Sequence, residues 1–238
     1  LNKSVIKIDY QNPKKIVVTT RDGKSYVAPI VICTVPIGVL KHNRIQFSPA
    51  LPTTTQQAIK HLNMFNFDKV VLTFPAVFWD KDKQFIGVIP QLKDYNQPNK
   101  PVWAAFLNYY YYTKKPIIIA LTAGRSANTM ESLTDAQIQD SIMKTLRQVY
   151  GENIPQPSHI TVTRWGKDIN AFGSYTSLGL HALKNNQDII NLTKPVDQAL
   201  FFAGEGTSIS YSTTVHGAYL SGIRAAHQAL ESIKERNI

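Results

Sequence analysis

A carboxylate between two glycines is the strongest candidate for chemistry in the sequence. Glu205 follows the apolar run 199–203 and is flanked by Gly204 and Gly206. Glycine lets a backbone approach a ligand closely, and a carboxylate just past a strand end commonly binds a ribose or ribityl hydroxyl. The alternative is that Glu205 only caps the helix that follows. These local patterns favour the two interpretations equally.

The helix predicted over 215–233 has two features that suit a flat or anionic ligand. Thr214 and Val215 open it, and the free N–H groups and positive dipole end of a helix start favour negative charge. Gly217 and Gly222, together with nearby alanines, give the helix a face of small residues. Such a face allows a helix to lie very close to a sheet or to a planar cofactor.

The elements that must position this segment read as a mixture of strands and helices. Asp22-Gly23 predicts a hairpin between strands 15–20 and 24–28. Run 30–35 is continuous and rich in β-branched residues, which predicts a strand buried on both faces. Further strands are predicted at 70–74, 102–109, 117–123, 160–164 and 199–203, a short helix at 53–62, and loops around short strands at 75–101.

The clearest helix of the middle region begins at Thr134. Gln137 stands three residues on, the spacing of a capping box, and Gly151 marks the C-terminal end. An apolar stripe of Ile138, Ile142, Leu146 and Val149 predicts one buried face. The tyrosines 109–112 are predicted to continue a strand with alternating faces rather than to form an aromatic binding patch.

Composition bounds the function classes. The 238 residues, 43% hydrophobic and 18% charged, describe an ordinary globular protein, and no apolar run approaches the roughly 20 residues of a membrane helix. The net charge of +10 is spread without long basic runs, which argues against nucleic-acid binding. The single Cys33 excludes an internal disulfide and predicts a buried, inert thiol. The cellular compartment stays open, with the cytoplasm favoured.

The segment 203–222 closely resembles the C-terminal motif of the flavin-containing amine oxidases, the family of polyamine oxidases, monoamine oxidases and lysine-specific histone demethylases. The resemblance continues in the same order over nearly the whole chain and is loosest between residues 84 and 124. It is carried by segments 5–8, 34–40, 47–52, 69–74 with Phe78-Trp79, Arg164-Trp165, and Gly173-Ser174-Tyr175.

The resemblance implies an FAD cofactor and a role for each matching residue. Lys69 is the expected catalytic residue, holding a water near flavin N5. Tyr175 is the expected substrate-binding aromatic. Thr214 stands where several family members carry a second aromatic, which leaves the amine substrate in doubt. The residues implied in cofactor binding are Val5, Thr34, Val35, Pro36, Trp165, Gly204, Glu205, Thr214 and Val215.

The resemblance also implies a fold of the α/β class, with mixed sheets. A partial FAD-binding, Rossmann-like domain is expected from residues 1–40 and 197–238, and a substrate-binding domain of the amine oxidase type from 41–196. No G-x-G-x-x-G fingerprint occurs, and the first residue is Leu1. We therefore expect a fragment whose N-terminal half is missing and which alone binds FAD weakly and is inactive. Two alternatives stay open, a non-catalytic interaction module or degenerate relative, and an amino-acid oxidase.

Overall fold

The computed structural model describes residues 1–90, 100–177 and 186–238. The strands are β1 Val5–Asp9, β2 Ile16–Thr20, β3 Ser25–Ala28, β4 Val31–Cys33, β5 Gln46–Ser48, β6 Asn63–Phe65, β7 Phe67–Thr73, β8 Phe85–Gly87, β9 Ala105–Asn108, β10 Ile117–Ala123, β11 His159–Val162, β12 Tyr175–Ser177 and β13 Leu200–Phe202. The helices are α1 Ile37–Lys41, α2 Thr53–His61, α3 Tyr110–Thr113, α4 Gly124–Glu131, α5 Asp135–Tyr150, α6 Gln187–Thr193 and α7 Val215–Arg236.

The chain divides into two compact units. Unit 1 comprises residues 1–64 and 169–238, and unit 2 comprises residues 65–168. Unit 1 is thus built from both ends of the chain. The assignment of 1–40 with 197–238 to cofactor binding and of 41–196 to substrate binding stays a prediction, because compactness does not say which ligand a unit contacts.

Unit 1 contains the mixed sheet that the α/β class predicts. Its four strands lie in the order β3-β2-β1-β5, with β1 and β5 parallel and the other pairs antiparallel. The predicted hairpin joins β2 to β3, and Gly23 adopts the left-handed conformation with φ 80° that its turn requires. A separate parallel pair consists of β4 and β13.

The prediction that the strand at 30–35 is buried on both faces was wrong. β4 spans only Val31–Cys33, and Ile32 is 37% exposed while Cys33 is 5% exposed. Within the described part of the chain β13 is the one hydrogen-bonded neighbour of β4. A strand with so little sheet around it leaves one face open, which a pattern of apolar residues does not reveal.

Unit 2 is an antiparallel sheet with helices packed on it. Its strands lie in the order β11-β7-β10-β9-β8. Helix α5 has the predicted capping box, with Thr134 and Gln137 each accepting a hydrogen bond from the other's backbone N–H. Its residues Ile138, Ile142 and Leu146 join the core, whereas Val149, predicted on the same stripe, is 44% exposed.

The prediction of a strand through tyrosines 109–112 was also wrong. Strand β9 ends at Asn108, and the chain then turns through the short helix α3 to reach β10. Lys114 ends that turn with φ 59°, in the left-handed region. The antiparallel pairing of β9 with β10 requires a reversal here, and this tertiary demand overrides the strand propensity of tyrosine.

Residues 75–101 were predicted to form loops around short strands, and the structure has one short strand, β8, in the described part of this region. Residues 91–99 lie outside the described residues. None of the described helices is long and apolar enough to cross a membrane.

Candidate cofactor and substrate site

The parallel strands β4 and β13 bring two of the predicted segments to the same edge of unit 1. Thr34–Pro36 follows β4, and Gly204 with Glu205 follows β13. The N–H of Ala203 donates to the carbonyl of Cys33 at 3.0 Å, so the pairing continues to the strand ends. A Cβ added at Gly204 would lie 3.9 Å from the Thr34 carbonyl oxygen. Ligands of open α/β folds bind at the carboxyl ends of parallel strands.

The carboxylate of Glu205 lies at the centre of this edge. Its Oε1 accepts hydrogen bonds from the backbone N–H of Thr176 at 2.8 Å and from the Thr176 hydroxyl at 2.5 Å. Its Oε2 accepts from the backbone N–H of Thr213 at 2.8 Å. A carboxylate offers about four acceptor sites, so these three bonds leave one for a ligand hydroxyl.

The loop before α7 is held tightly against the first turn of that helix. Thr214 is the N-cap, and its hydroxyl oxygen accepts from the N–H of Gly217 at 3.0 Å. A Cβ on Gly217 would lie 1.8 Å from the carbonyl oxygen of Tyr211, so only glycine fits. Val215 is 88% exposed.

The first turn of α7 presents donors that the protein does not use. In the described chain the N–H groups of Val215 and His216 donate to no protein atom. Such groups at the start of a 22-residue helix carry a partial positive charge and favour an anion or a carbonyl oxygen. The His216 ring packs edge-on against Tyr211 with ring centroids 4.9 Å apart.

The predicted small-residue face of α7 has one side fixed and one side open. Ser221 ties the helix to the strand end, since its Oγ accepts from the N–H of Gly204 at 2.8 Å. A Cβ on the neighbouring Gly222 would meet no atom of the described residues within 4 Å. The helix surface at Gly222 therefore has room for a bound group such as a ligand.

Tyr175 directly precedes Thr176, the residue that binds the Glu205 carboxylate. It begins β12, and the next residue, Thr176, is the double donor to Glu205. A Cβ on Gly206 would lie 2.5 Å from the Thr176 hydroxyl oxygen, which shows how closely this strand packs on the loop. The same bonds that fix the carboxylate therefore fix the predicted substrate-binding tyrosine.

Val5 and Val35 line a common cavity of about 230 Å³ in unit 1. Basic side chains also line it, those of Lys3, Arg21 and Arg44. A cavity lined by both apolar and cationic side chains suits the adenosine and diphosphate parts of a dinucleotide, because the base is flat and apolar and the diphosphate is anionic.

In unit 2, Lys69 is exposed on β7, between β11 and β10 in the sheet. Its Nζ lies 4.9 Å from the centroid of the Phe67 ring. Thr163 holds the Lys69 backbone from the neighbouring strand end. The N–H of Lys69 donates to the Thr163 hydroxyl oxygen at 2.8 Å, and the Lys69 carbonyl accepts from the Thr163 N–H at 3.0 Å.

Trp165 is hydrogen-bonded to the residue that precedes Lys69. The Trp165 side chain is 40% exposed. The backbone N–H of Trp165 donates to Oδ1 of Asp68 at 3.2 Å. Asp68 itself is fully buried, and burial beside Glu131 raises the pKa of the Asp68 carboxyl to about 6. Unit 2 therefore joins the predicted catalytic lysine and the predicted flavin-side aromatic through a buried acidic residue.

Several residues of this arrangement were not predicted from the sequence. Thr176 and Thr213 bind Glu205, Ser221 anchors α7, and Asp68 with Thr163 supports Lys69. A signal was present only for Thr176, which directly follows the matched Gly173-Ser174-Tyr175. The other contacts join residues too far apart in sequence for a local pattern to connect them.

Comparison with known proteins identifies the family. The model of the flavin-containing amine oxidoreductase family matches residues 1–230. The chain is 37% identical to histone demethylase-like protein A of Aspergillus fumigatus, over 98% of this chain and 22% of that protein. It is 36% identical to polyamine oxidase 3 of Oryza sativa subsp. japonica, over 93% of this chain and 43% of that protein.

A solved structure has the same fold. A putrescine oxidase variant from a redesign of cofactor binding superposes with a TM-score of 0.75 at 20% identity, covering 97% of this chain and 49% of that one. The chain spans less than half the length of these relatives. The family resemblance and the mixed α/β fold predicted from the sequence are confirmed. The chain belongs to the family of flavin-containing amine oxidoreductases.

Proposed function

We propose that the chain forms one wall of the FAD site, and part of the substrate pocket, of an amine oxidase. The observation that carries this proposal is the loop between β13 and α7. There the Glu205 carboxylate, the unused N–H groups of Val215 and His216, and the open face at Gly222 lie on consecutive elements. The family to which the chain belongs supports the same conclusion.

The residues present fit FAD in three places. Glu205 has acceptor capacity for a ribityl or ribose hydroxyl, after its bonds to Thr176 and Thr213. The start of α7 at Thr214 and Val215 would face the flavin pyrimidine, where its dipole stabilises negative charge. The cavity at Val5 and Val35, with its three cations, would take the adenosine diphosphate end.

When bound, FAD supplies a two-electron oxidation, taking a hydride equivalent from the carbon beside the amine nitrogen, after which water hydrolyses the imine and dioxygen is reduced to hydrogen peroxide. In the proposal Lys69 holds the water that this hydrolysis needs, through its exposed Nζ. Thr163 fixes the lysine backbone from both its N–H and its carbonyl. Trp165 contributes an aromatic surface on the flavin side.

We propose a polyamine or a related amine as the substrate class. Polyamine oxidases stand among the relatives, and the matched structure is a putrescine oxidase variant. Tyr175 offers an aromatic wall, worth on the order of 1–2 kcal/mol to an ammonium group. Because the amine must be neutral to react, this wall orients the substrate more than it activates it. Thr214 leaves the opposite side open.

The partner that completes the site in this proposal is an N-terminal half of the same protein. The relatives are more than twice as long as the matched region, and the chain has no glycine fingerprint for the diphosphate. We therefore expect the chain alone to bind FAD weakly and to have no oxidase activity. Absorption near 450 nm, where oxidised flavins absorb, tests this, and a stoichiometric flavin spectrum of the purified chain would refute it.

Two other functions can be distinguished from the proposed one by assays on the intact protein. An interaction module would bind neither FAD nor amines even in the intact protein, although retention of Lys69 and Glu205 favours the enzyme. An amino-acid oxidase would need an arginine that binds the substrate carboxylate. A panel of polyamines, monoamines and amino acids, assayed on the intact protein with peroxide detection, distinguishes all three outcomes.

A further inference from the structure

We propose that Asp68 and Glu131 form a buried acid–carboxylate pair that shares one proton and positions Lys69 and Trp165. Asp68 is fully buried, and Glu131 is 4% exposed. Carboxyl groups are almost never fully buried unless they are paired. Neither residue has a direct role in the proposed reaction, so their burial together requires another explanation.

The Asp68 carboxyl uses only one of its oxygens. Its Oδ1 accepts from the hydroxyl of Thr163 at 2.8 Å and from the N–H of Trp165 at 3.2 Å. Its Oδ2 is buried and has no donor among the described residues. A bare, buried carboxylate oxygen is costly, because it has lost its water and gained no hydrogen bond.

Glu131 presents the second carboxyl and binds the adjacent loop. Its Oε1 accepts from the Asn66 side-chain amide and from the N–H of Gly166, each at 2.7 Å. Gly166 approaches so closely that an added Cβ would lie 2.9 Å from Oε2. The Lys167 ammonium donates to the backbone carbonyl of Glu131 at 2.7 Å rather than to its carboxylate.

A shared proton accounts for both the unpartnered Oδ2 of Asp68 and the burial of the Glu131 carboxyl beside it. The two carboxyl groups bind consecutive backbone N–H groups, Asp68 that of Trp165 and Glu131 that of Gly166. Two carboxyl groups can hydrogen-bond to each other only if one of them is protonated, and Oδ2 of Asp68, which has no donor among the described residues, is the atom available to carry that proton. Burial is the largest cause of the raised pKa of Asp68, and the Glu131 charge adds to it.

No neighbouring cation among the described residues neutralises the two carboxyl groups in place of the proton. The polar side chains that bind the pair are those of Asn66 and Thr163, and both are neutral. The Arg164 guanidinium donates to the Leu133 carbonyl and to Asp135, not to the pair. Lys167 binds a carbonyl, so no cation of the described chain bonds to either carboxylate.

The pair joins the two segments that carry the predicted site residues of unit 2. Asp68 precedes Lys69 on β7 and binds the N–H of Trp165, and Glu131 binds the N–H of Gly166. Asp68 also binds Thr163, which holds the Lys69 backbone. In the proposal, the shared proton holds the strand that carries Lys69 against the segment that carries Trp165, and a second ionisation loosens this link. The consequence for catalysis rests on the proposed function, whereas the shared proton does not.

The test uses amide substitutions that mimic the shared proton. In Asp68→Asn, the oxygen stays with Thr163 and Trp165, and the new N–H points at Glu131. In Glu131→Gln, the oxygen stays with Asn66 and Gly166, and the new N–H points at Asp68. In the double variant two N–H groups face each other. Asp140→Asn, an exposed site on α5, is the matched control.

The expected results, measured on the intact protein, are specific to a shared proton. Wild type should show the infrared C=O stretch of a protonated carboxyl at about pH 5.5, and Asp68→Asn should lack it. The melting temperature of wild type relative to Asp68→Asn should fall as pH rises through about 6. The double variant should melt lower than the two single effects predict in sum, and Asp140→Asn should behave as wild type.

Parallel pH dependence of wild type and Asp68→Asn, or an unchanged carboxyl band, would overturn the shared proton. If the proton is present but the pH profile of amine-dependent flavin reduction is the same in wild type and Asp68→Asn, the positioning role is overturned instead. An intact protein without any amine oxidation would refute the proposed function, while the infrared and melting results would still decide whether the pair exists.

Discussion

The carboxylate of Glu205 accepts the backbone N–H of Thr213 at 2.8 Å, and Thr213 has φ 68°. A β-branched residue in this left-handed region is strained, at a cost of about 1–3 kcal/mol. The hydrogen bond to a charged acceptor offsets that cost and sets the chain direction at the entry to α7. Thr214, not Glu205, caps α7, so the carboxylate orients the residue before the cap and keeps acceptor capacity for the proposed cofactor contact.

Glu205→Gln should lower the stability and the FAD affinity of the intact protein together. The amide keeps an oxygen for Thr176 but turns an N–H toward the N–H of Thr213, so one bond is lost and two donors meet. We expect the free energy of unfolding to fall by about 1–3 kcal/mol. Urea unfolding and flavin titration measure the two effects. The control Glu231→Gln, at an exposed position of α7, should change stability by less than about 0.5 kcal/mol.

Two glycines of α7 should respond in opposite ways to alanine. Gly217→Ala places a Cβ 1.8 Å from the Tyr211 carbonyl oxygen and should destabilise the protein by about 1–3 kcal/mol. In Gly222→Ala the new Cβ meets no atom within 4 Å in the described part of the chain, and the substitution should stabilise the helix by up to about 1 kcal/mol. If the flavin lies on this face, Gly222→Ala should nevertheless weaken FAD binding. Unchanged FAD affinity in Gly222→Ala would place the cofactor elsewhere.

Lys69→Met should abolish most amine turnover while leaving the flavin bound. Methionine keeps the length of the side chain on β7 but removes the ammonium that would hold water. We expect turnover to fall by about 100-fold or more, the scale of losing a positioned proton-transfer group. Peroxide release and the flavin spectrum of the intact protein report the two properties. Lys115→Met, another exposed lysine of unit 2, serves as the control, and a wild-type rate in Lys69→Met would refute the role of Lys69.

Cys33 should not react with thiol reagents in the folded protein. It is 5% exposed, and burial raises the pKa of its thiol to about 11. Because the thiolate is the reactive form, only about one thousandth of the thiol is ionised at pH 8, and reactivity should rise only as pH approaches about 11. Labelling with a chromogenic disulfide at pH 8 should find no thiol before unfolding and one after it. Rapid labelling of the native protein would contradict the buried thiol.

The sequence alone determined the features that depend on neighbouring residues. The Asp22-Gly23 turn, the capping box of Thr134 with Gln137, and the strand–loop–helix around Glu205 are all where local patterns predict them. Turns, caps and amphipathic faces are set within a few residues, so they can be read without the fold. The matched segments also identified the family from the sequence alone, because they are long and occur in the same order as in the family.

The tertiary structure decided which residues act on these elements. The turn at tyrosines 110–112 follows from pairing β9 with β10. The exposure of Ile32 follows from the pairing of β4 with β13, which has no further neighbouring strand among the described residues. That Thr214 rather than Glu205 caps α7, and that Thr176 and Thr213 bind the Glu205 carboxylate, follows from contacts between separate segments. The partnership of Asp68 with Glu131 spans two elements that no local pattern joins. Hydrogen bonding and desolvation act through space, so long-range packing alone assigns these partners.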